Sequence, residues 1–273
     1  MLFMNQRTNR LMEEKFVTIG ANKIRYLEGG ESSKNVVLVH GLGASAERWE
    51  YVIPHLSKKY HVIAPDLIGF GYSDKPSVDY TPELFFKFLF DFLDSIGLGK
   101  VSLVGSSLGA QIVAECAGTQ DKNIEKIVLV SPSGFMKHST HTLDAYMMAA
   151  LYPSQDAART AFQMMAAPNK QIDDRTIENF VQRMALPNAK MAFMSTVLAV
   201  RNSADIGKKL ENISVPTLII WGRHDSLIPI KYSKEFISSI KNCQFVIMEE
   251  CGHTPYVEEP EKFSKIVLDF LGH

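Results

Sequence analysis

Cysteine is scarce in this chain. Cys116, Cys243 and Cys251, three in 273 residues, are an odd number without paired metal-site spacing. That excludes a disulfide framework and reads the thiols as free ones in a reducing, cytoplasmic setting, with no metal expected. A charge excess of either sign is missing too. Lys and Arg number 29 against 30 Asp and Glu, and no basic run stands out. A nucleic-acid partner therefore has no electrostatic footprint. Apolar runs are short: the aromatic stretch from Phe85 to Phe92 is broken by Lys87 and Asp91, so no membrane span is expected. Met1 to Glu14 carries Arg7 and Arg10 but no apolar segment of the secretory kind. There is no internal repeat and no low-complexity segment. These absences leave a globular protein with a small-molecule partner, and nothing indicates a homo-oligomer.

What is present is alternation. Apolar runs of strand length recur at 14–20, 23–28, 36–39, 61–65, 101–105, 126–130, 217–222 and 244–248. Short continuous runs of this kind read as strands buried on both faces, and helices between them predict an α/β protein with a mostly parallel central sheet. A helix is expected over Ser45–Lys58, with Ser45 as N-cap, an apolar stripe of Trp49, Val52, Ile53 and Leu56, and a bend at Pro54. Thr81-Pro82-Glu83 has the cap, proline and acid order of a second helix start, running to about Ile96. An amphipathic helix from Pro260 to Leu271 ends the chain. From Phe135 to Asn212 the alternation stops: this stretch is helical, rich in alanine and methionine, and broken by Pro153, Pro168 and Pro187. Eight of the twelve methionines fall there. Methionine adapts to irregular apolar space, so the expected organisation is a core of 1–134 and 213–273 with 135–212 as a helical cap. Met147, Met148 and Met194 are the expected greasy underside over the site.

The chemistry centres on Gly105-Ser106-Ser107-Leu108-Gly109, where an apolar strand meets a helix. A turn this abrupt strains its central residue, and flanking glycines remove the clashing side chains. The turn lifts the Ser107 hydroxyl and the Leu108 N–H to one place. His40-Gly41-Leu42-Gly43 follows another core strand and offers a second free amide, that of Leu42. A serine needs a base, and a base needs an orienting carboxylate. His253, flanked by Gly252 after the last strand, and Asp225, after the strand at 217–222, supply them. His40 is read as holding its own loop, and Asp66 as satisfying loop amides rather than reacting. Leu42, Ser107, Asp225 and His253 all follow directly on a strand, where reactive groups of parallel sheets gather.

In this order the motifs resemble the α/β-hydrolase family, in its capped form. His40-Gly41, Asp66 to Asp74, Gly105 to Gly109, Trp221 to Asp225 and Gly252-His253 carry the likeness. The resemblance implies a Ser107–Asp225–His253 triad, an oxyanion hole from Leu42 and Leu108, substrate contacts at Gly41 and Ser106, and no cofactor. It implies a serine carboxylesterase acting on small to medium acyl esters through an acyl-enzyme. Related haloalkane dehalogenases and epoxide hydrolases carry an aspartate nucleophile, unlike Ser107. Meta-cleavage-product hydrolases, which break C–C bonds, usually have asparagine before the serine and tryptophan after the histidine; here stand Ser106 and Thr254. C–C hydrolysis is the alternative activity, a slow-turnover ligand receptor a further one, and cofactor-free haloperoxidases share the triad.

Overall fold

Alternate residues of one strand feed two cores. In β3 (Asn35–Val39) Val36 and Leu38 enter one apolar layer, Val37 and Val39 the other. Period-two alternation between two buried faces is what a strand covered by helices on both sides requires. The computed structural model describes residues 12–202 and 206–272. Its sheet has eight strands: β1 (Glu13–Ile19), β2 (Asn22–Gly29), β3, β4 (His61–Pro65), β5 (Val101–Ser106), β6 (Ile124–Val130), β7 (Thr217–Gly222) and β8 (Cys243–Met248). Their order is β1-β2-β4-β3-β5-β6-β7-β8. β1 pairs antiparallel with β2, and β2 with β4; every other pairing is parallel. The strand that carries the Gly-x-Ser-x-Gly motif thus lies near the middle of the sheet, its neighbours β3 and β6 contributing loops on either side.

The helices follow the chain. α1 (Ile53–Leu56) and α11 (Pro260–Gly272) pack on one face of the sheet, where Trp49 stacks on Tyr256 at 4.1 Å between centroids. α2 (Pro82–Ser95) and α3 (Leu108–Ala117) cover the other face, and all ten residues of α3 are buried. Thr81 caps α2 as expected, its Oγ1 accepting the Leu84 N–H. The stretch 45–58 is not one helix. A 3₁₀ turn at Ala46–Trp49 comes first, Ser45 makes no side-chain cap, and α1 starts afresh at Ile53. Pro54 sits in the first turn of α1, where its missing N–H costs nothing, so it opens a helix instead of bending one. The stripe of Trp49, Val52, Ile53 and Leu56 is fully buried all the same.

Between β6 and β7 four helices are inserted: α4 (His141–Leu151), α5 (Gln155–Met165), α6 (Asp174–Met184) and α7 (Ala189–Asn202). α8 (Gly207–Glu211) already rests on α3 and on α9 (Ser233–Ser239), where Lys209 Nζ reaches Glu115 Oε2 at 2.6 Å. The expected insert boundary at Asn212 therefore falls after the chain has returned to the core. α10 (Pro255–Glu258) completes the set. Among the described residues no helix is long and apolar enough to cross a membrane. Cys116, Cys243 and Cys251 are unpaired.

Candidate active site

Ser107 occupies the turn between β5 and α3 with φ +56° and ψ −117°, a conformation that costs an L-residue energy and persists only where its surroundings enforce it. The enforcement is visible. The Ser107 N–H donates to the Val130 carbonyl at 2.9 Å, and its own carbonyl accepts from Gln111 and Ser133 at 3.1 and 3.2 Å. A Cβ on Gly105 would stand 2.3 Å from the Gly109 oxygen, and one on Gly109 2.3 Å from the Val39 oxygen. Both glycines are needed because backbones meet backbones there.

The β3 turn packs against this elbow: a Cβ on Gly41 would lie 3.2 Å from both Ser106 O and Ser107 Cβ. His40 holds the turn from beneath. Its Nδ1 bonds the Gly41 carbonyl at 2.8 Å, and its Nε2 accepts the Leu67 N–H at 3.0 Å. Complete burial lowers the His40 pKa, keeping the ring neutral and able to do both. Among the described residues, neither the Leu42 nor the Leu108 N–H donates to a protein acceptor. The Leu42 carbonyl is taken: Tyr146 Oη of α4 donates to it at 2.7 Å. Asp66 is structural, as expected from the sequence. Its carboxylate accepts from the Ala46 and Tyr72 amides at 2.7 and 2.8 Å and from Arg25 at 3.1 Å.

Asp225 and His253 meet at the ends of β7 and β8. His253 Nδ1 lies 2.8 Å from Asp225 Oδ2, while Asp225 Oδ1 accepts the Leu227 and Ile228 amides at 3.0 and 2.8 Å. With one oxygen committed to the backbone, the other fixes the imidazole with its proton on Nδ1 and leaves Nε2 as a base. The His253 loop is clipped on both sides. Glu258 accepts the amides of Gly252 and Thr254, and also that of Ala167 from the insert. The His253 N–H itself donates to Met165 O at 2.8 Å. His224, next to the acid, is exposed.

Ser107 and His253 line one cavity of about 200 Å³ beneath the insert, together with Gly41, Leu42, Ser106, Leu108 and Met147. Its walls are mostly apolar, with Leu143, Phe162, Met165, Val197, Leu227 and Ile228. Asp225 stands behind His253, outside the lining. Two expected contacts are corrected. Met148 is 55% exposed: adjacent positions on a helix point about 100° apart, so Met147 can face the cavity only if Met148 turns away. Met194 packs against the apolar core and does not reach the cavity. Of the insert's methionines, Met136, Met147 and Met165 form its underside.

Charge is where sequence reasoning fell short. Among the described residues the lining contains four cations, Arg48, Lys137, Arg183 and Arg201, and no carboxylate. Arg48 lies over the Phe162 ring at 5.5 Å. Arg183 of α6 is 4% exposed; its side chain makes no hydrogen bond or ion pair among the described residues and keeps a buried, unpartnered Nε. The available signal was its position, three residues after Phe180 on the stripe shared with Ile177 and Met184: a cation on the apolar face of an amphipathic helix.

A hydroxyl on a strained turn, a carboxylate-oriented imidazole and two free amides around one cavity can add serine to a carbonyl and stabilise the resulting oxyanion. The family model for the alpha/beta hydrolase fold matches residues 34–260. The chain is 28% identical to the 2-hydroxy-6-oxo-6-(2'-aminophenyl)hexa-2,4-dienoic acid hydrolase of Metapseudomonas resinovorans, over 98% of this chain and 94% of that protein. It is 31% identical to a 2-hydroxy-6-oxo-2,4-heptadienoate hydrolase of Pseudomonas putida, covering 86% of this chain and 88% of the relative. Among solved structures, a membrane phospholipase A superposes with a TM-score of 0.86 at 25% identity, covering 96% of this chain and 86% of that one. The motif order, the eight-stranded sheet and the matched family model lead to one assignment: the chain belongs to the α/β-hydrolase family.

Proposed function

We propose that this α/β-hydrolase is a serine hydrolase of carboxylate-bearing carbonyl compounds, and that the bond it cleaves is the C–C bond of a 2-hydroxy-6-oxodienoate. The observation that carries the substrate class is Arg183. A guanidinium buried with no hydrogen-bond or ion-pair partner among the described residues is costly to keep and becomes favourable when a ligand carboxylate pairs with it. An apolar cavity with one such cation suits a substrate with an apolar body and an acidic end. The named dienoate hydrolases among the relatives support the same reading.

In this reading the dienol first gives up its 2-hydroxyl proton and takes up a proton at the carbon destined to leave, giving the keto tautomer. Ser107 Oγ then adds to the distal ketone as its proton passes to His253 Nε2, with Asp225 stabilising the imidazolium. The oxyanion sits between the Leu42 and Leu108 amides. Its collapse breaks the C–C bond; the electron pair withdraws into the conjugated keto acid held by Arg183, and the resulting dienolate takes the proton from His253 and leaves as the 2-hydroxydienoate. His253, neutral again, deprotonates a water that releases the acyl group from Ser107 as a carboxylic acid. The insert would serve as the cap that closes over these steps.

A second reading, the small to medium acyl esterase expected from the sequence, is favoured by Ser106 and Thr254, which stand where the C–C hydrolases usually have asparagine and tryptophan. Its chemistry uses the same Ser107, His253 and oxyanion amides, with an alcohol as leaving group protonated by His253. Both are tested together by following loss of the visible absorbance of an aryl ring-cleavage dienoate beside hydrolysis of p-nitrophenyl esters from acetyl to palmitoyl. Serine-dependent dienoate turnover is the expected result. Efficient ester turnover with an inert dienoate would move the assignment to the esterase.

A further inference from the structure

The insert reaches past the cavity it roofs and touches the peptide that offers one oxyanion donor. α4 places Tyr146 so that its hydroxyl donates to the Leu42 carbonyl at 2.7 Å. Tyr146 is 6% exposed and wedged among three rings, with Phe162, Phe180 and Phe193 at 5.9, 5.5 and 5.7 Å between centroids. All three rings belong to the insert helices α5, α6 and α7. Its position therefore depends on the packing of the whole insert. Burial raises its pKa, so the phenol keeps the proton it donates.

The contact is tight on the core side as well. Gly43 has φ +64°, and a Cβ there would stand 2.8 Å from Tyr146 Oη and 2.8 Å from Phe193 Cε2. One residue earlier, Leu42 has its carbonyl held by Tyr146, and its N–H donates to no acceptor among the described residues. On the other side of Leu42, Gly41 lies against Ser107 Cβ. Leu42 is thus gripped from the insert at its carbonyl and from the elbow through Gly41, and its amide direction follows from those two anchors. An oxyanion donor gains its effect from being aimed before the reaction.

We propose that Tyr146 is a positioning residue for the oxyanion hole: its hydroxyl, carried by the insert, sets the orientation of the Leu42 amide and so couples the packing of the insert to transition-state stabilisation. This rests on the serine-hydrolase reading of Ser107 and Leu42, whichever substrate bond is cleaved.

The test is Tyr146→Phe, which removes one oxygen from a buried ring, assayed with a p-nitrophenyl ester and with an alkyl boronic acid that forms a tetrahedral adduct on serine. Removing a donor outright costs roughly 100–1000-fold, so misaiming one is expected to lower kcat by about 10-fold or more. KM should stay within about two-fold, since the interaction belongs to the transition state. Boronate affinity should fall in proportion to kcat. Gly43→Ala, whose added carbon is directed at the same hydroxyl, should reproduce the loss if the first variant folds poorly. Unchanged kcat and boronate affinity in folded Tyr146→Phe would overturn the proposal, even with a lowered melting temperature. A raised KM at constant kcat would overturn it too, by assigning the hydroxyl to substrate binding. The Ser107→Ala control separates the two readings: activity surviving in that variant refutes the serine mechanism itself, whatever Tyr146 does.

Discussion

Replacing Arg183 with methionine separates what this residue does for folding from what it does for substrate. The side chain is buried, lines the cavity and has no hydrogen-bond or ion-pair partner among the described residues. Its charge acts on Glu47 only through space, and Glu47 already has Arg25 Nη2 at 2.7 Å. Methionine fills similar volume without the desolvated charge, so the exchange removes a desolvation cost while Glu47 keeps its ion pair with Arg25. The variant should therefore be at least as stable as the parent. Toward an anionic substrate the sign reverses. Truncating one partner of a buried, hydrogen-bonded charge pair costs about 2–5 kcal/mol. At 1.36 kcal/mol per factor of ten, that is roughly 30-fold to several thousand-fold in kcat/KM. The assay pairs two esters of matched length, mono-p-nitrophenyl glutarate and p-nitrophenyl butyrate, with a urea titration of each protein. The expected result is a selective loss on the glutarate, a change within about three-fold on the butyrate, and an undiminished unfolding midpoint. Equal losses on both esters, or a clear fall in stability, would refute the assignment of Arg183 to a substrate carboxylate.

Asp225→Asn should leave the fold intact, because the Leu227 and Ile228 amides can still be accepted. It should lower kcat by about 10³–10⁴-fold, because the amide favours the wrong His253 tautomer; activity near wild type in steady-state kinetics would count against the triad. His40, with its pKa lowered by burial, should remain neutral in the fold as the solution passes below the ordinary histidine value. Its imidazole nitrogen shifts in NMR should then stay constant through that range. The unfolded chain takes up that proton and the folded one does not, so His40 costs stability as pH falls below about 6.5, by up to about 1.4 kcal/mol per unit, until the folded value is reached. A His40 titration at the ordinary value would contradict its role as acceptor for the Leu67 amide.

The parts of the site that sit on strand ends were legible because their signals are local. Ser107 lies between two glycines that no other residue can replace without backbone overlap, and such a constraint is written into five consecutive letters. Asp225 and His253 could be chosen because each follows an apolar run and the chain order matches the family. The helix α9 was missed because seven residues give too short a window for a helical period. The expected helix over 45–58 failed because the burial of Trp49, Val52, Ile53 and Leu56 satisfies a 3₁₀ turn and a short helix as well as one long helix. The insert was harder still. Composition identified a methionine-rich surface but could not say which side of α4 faces inward, so Met148 was included with Met147. Arg183 and Tyr146 take their meaning from tertiary neighbours, one from a side chain with no hydrogen-bond or ion-pair partner among the described residues and the other from a carbonyl 104 positions away.

Both proposed reactions pass an acyl group through Ser107. Rapid-quench intact-mass spectrometry of the protein mixed with a p-nitrophenyl ester, followed by peptide mapping, reads that intermediate. A stoichiometric acyl adduct on Ser107, formed with the p-nitrophenol burst and absent from a folded but inactive Ser107→Ala variant, is the predicted result. Turnover by Ser107→Ala, or an adduct on any other residue with Ser107 unmodified, would contradict it.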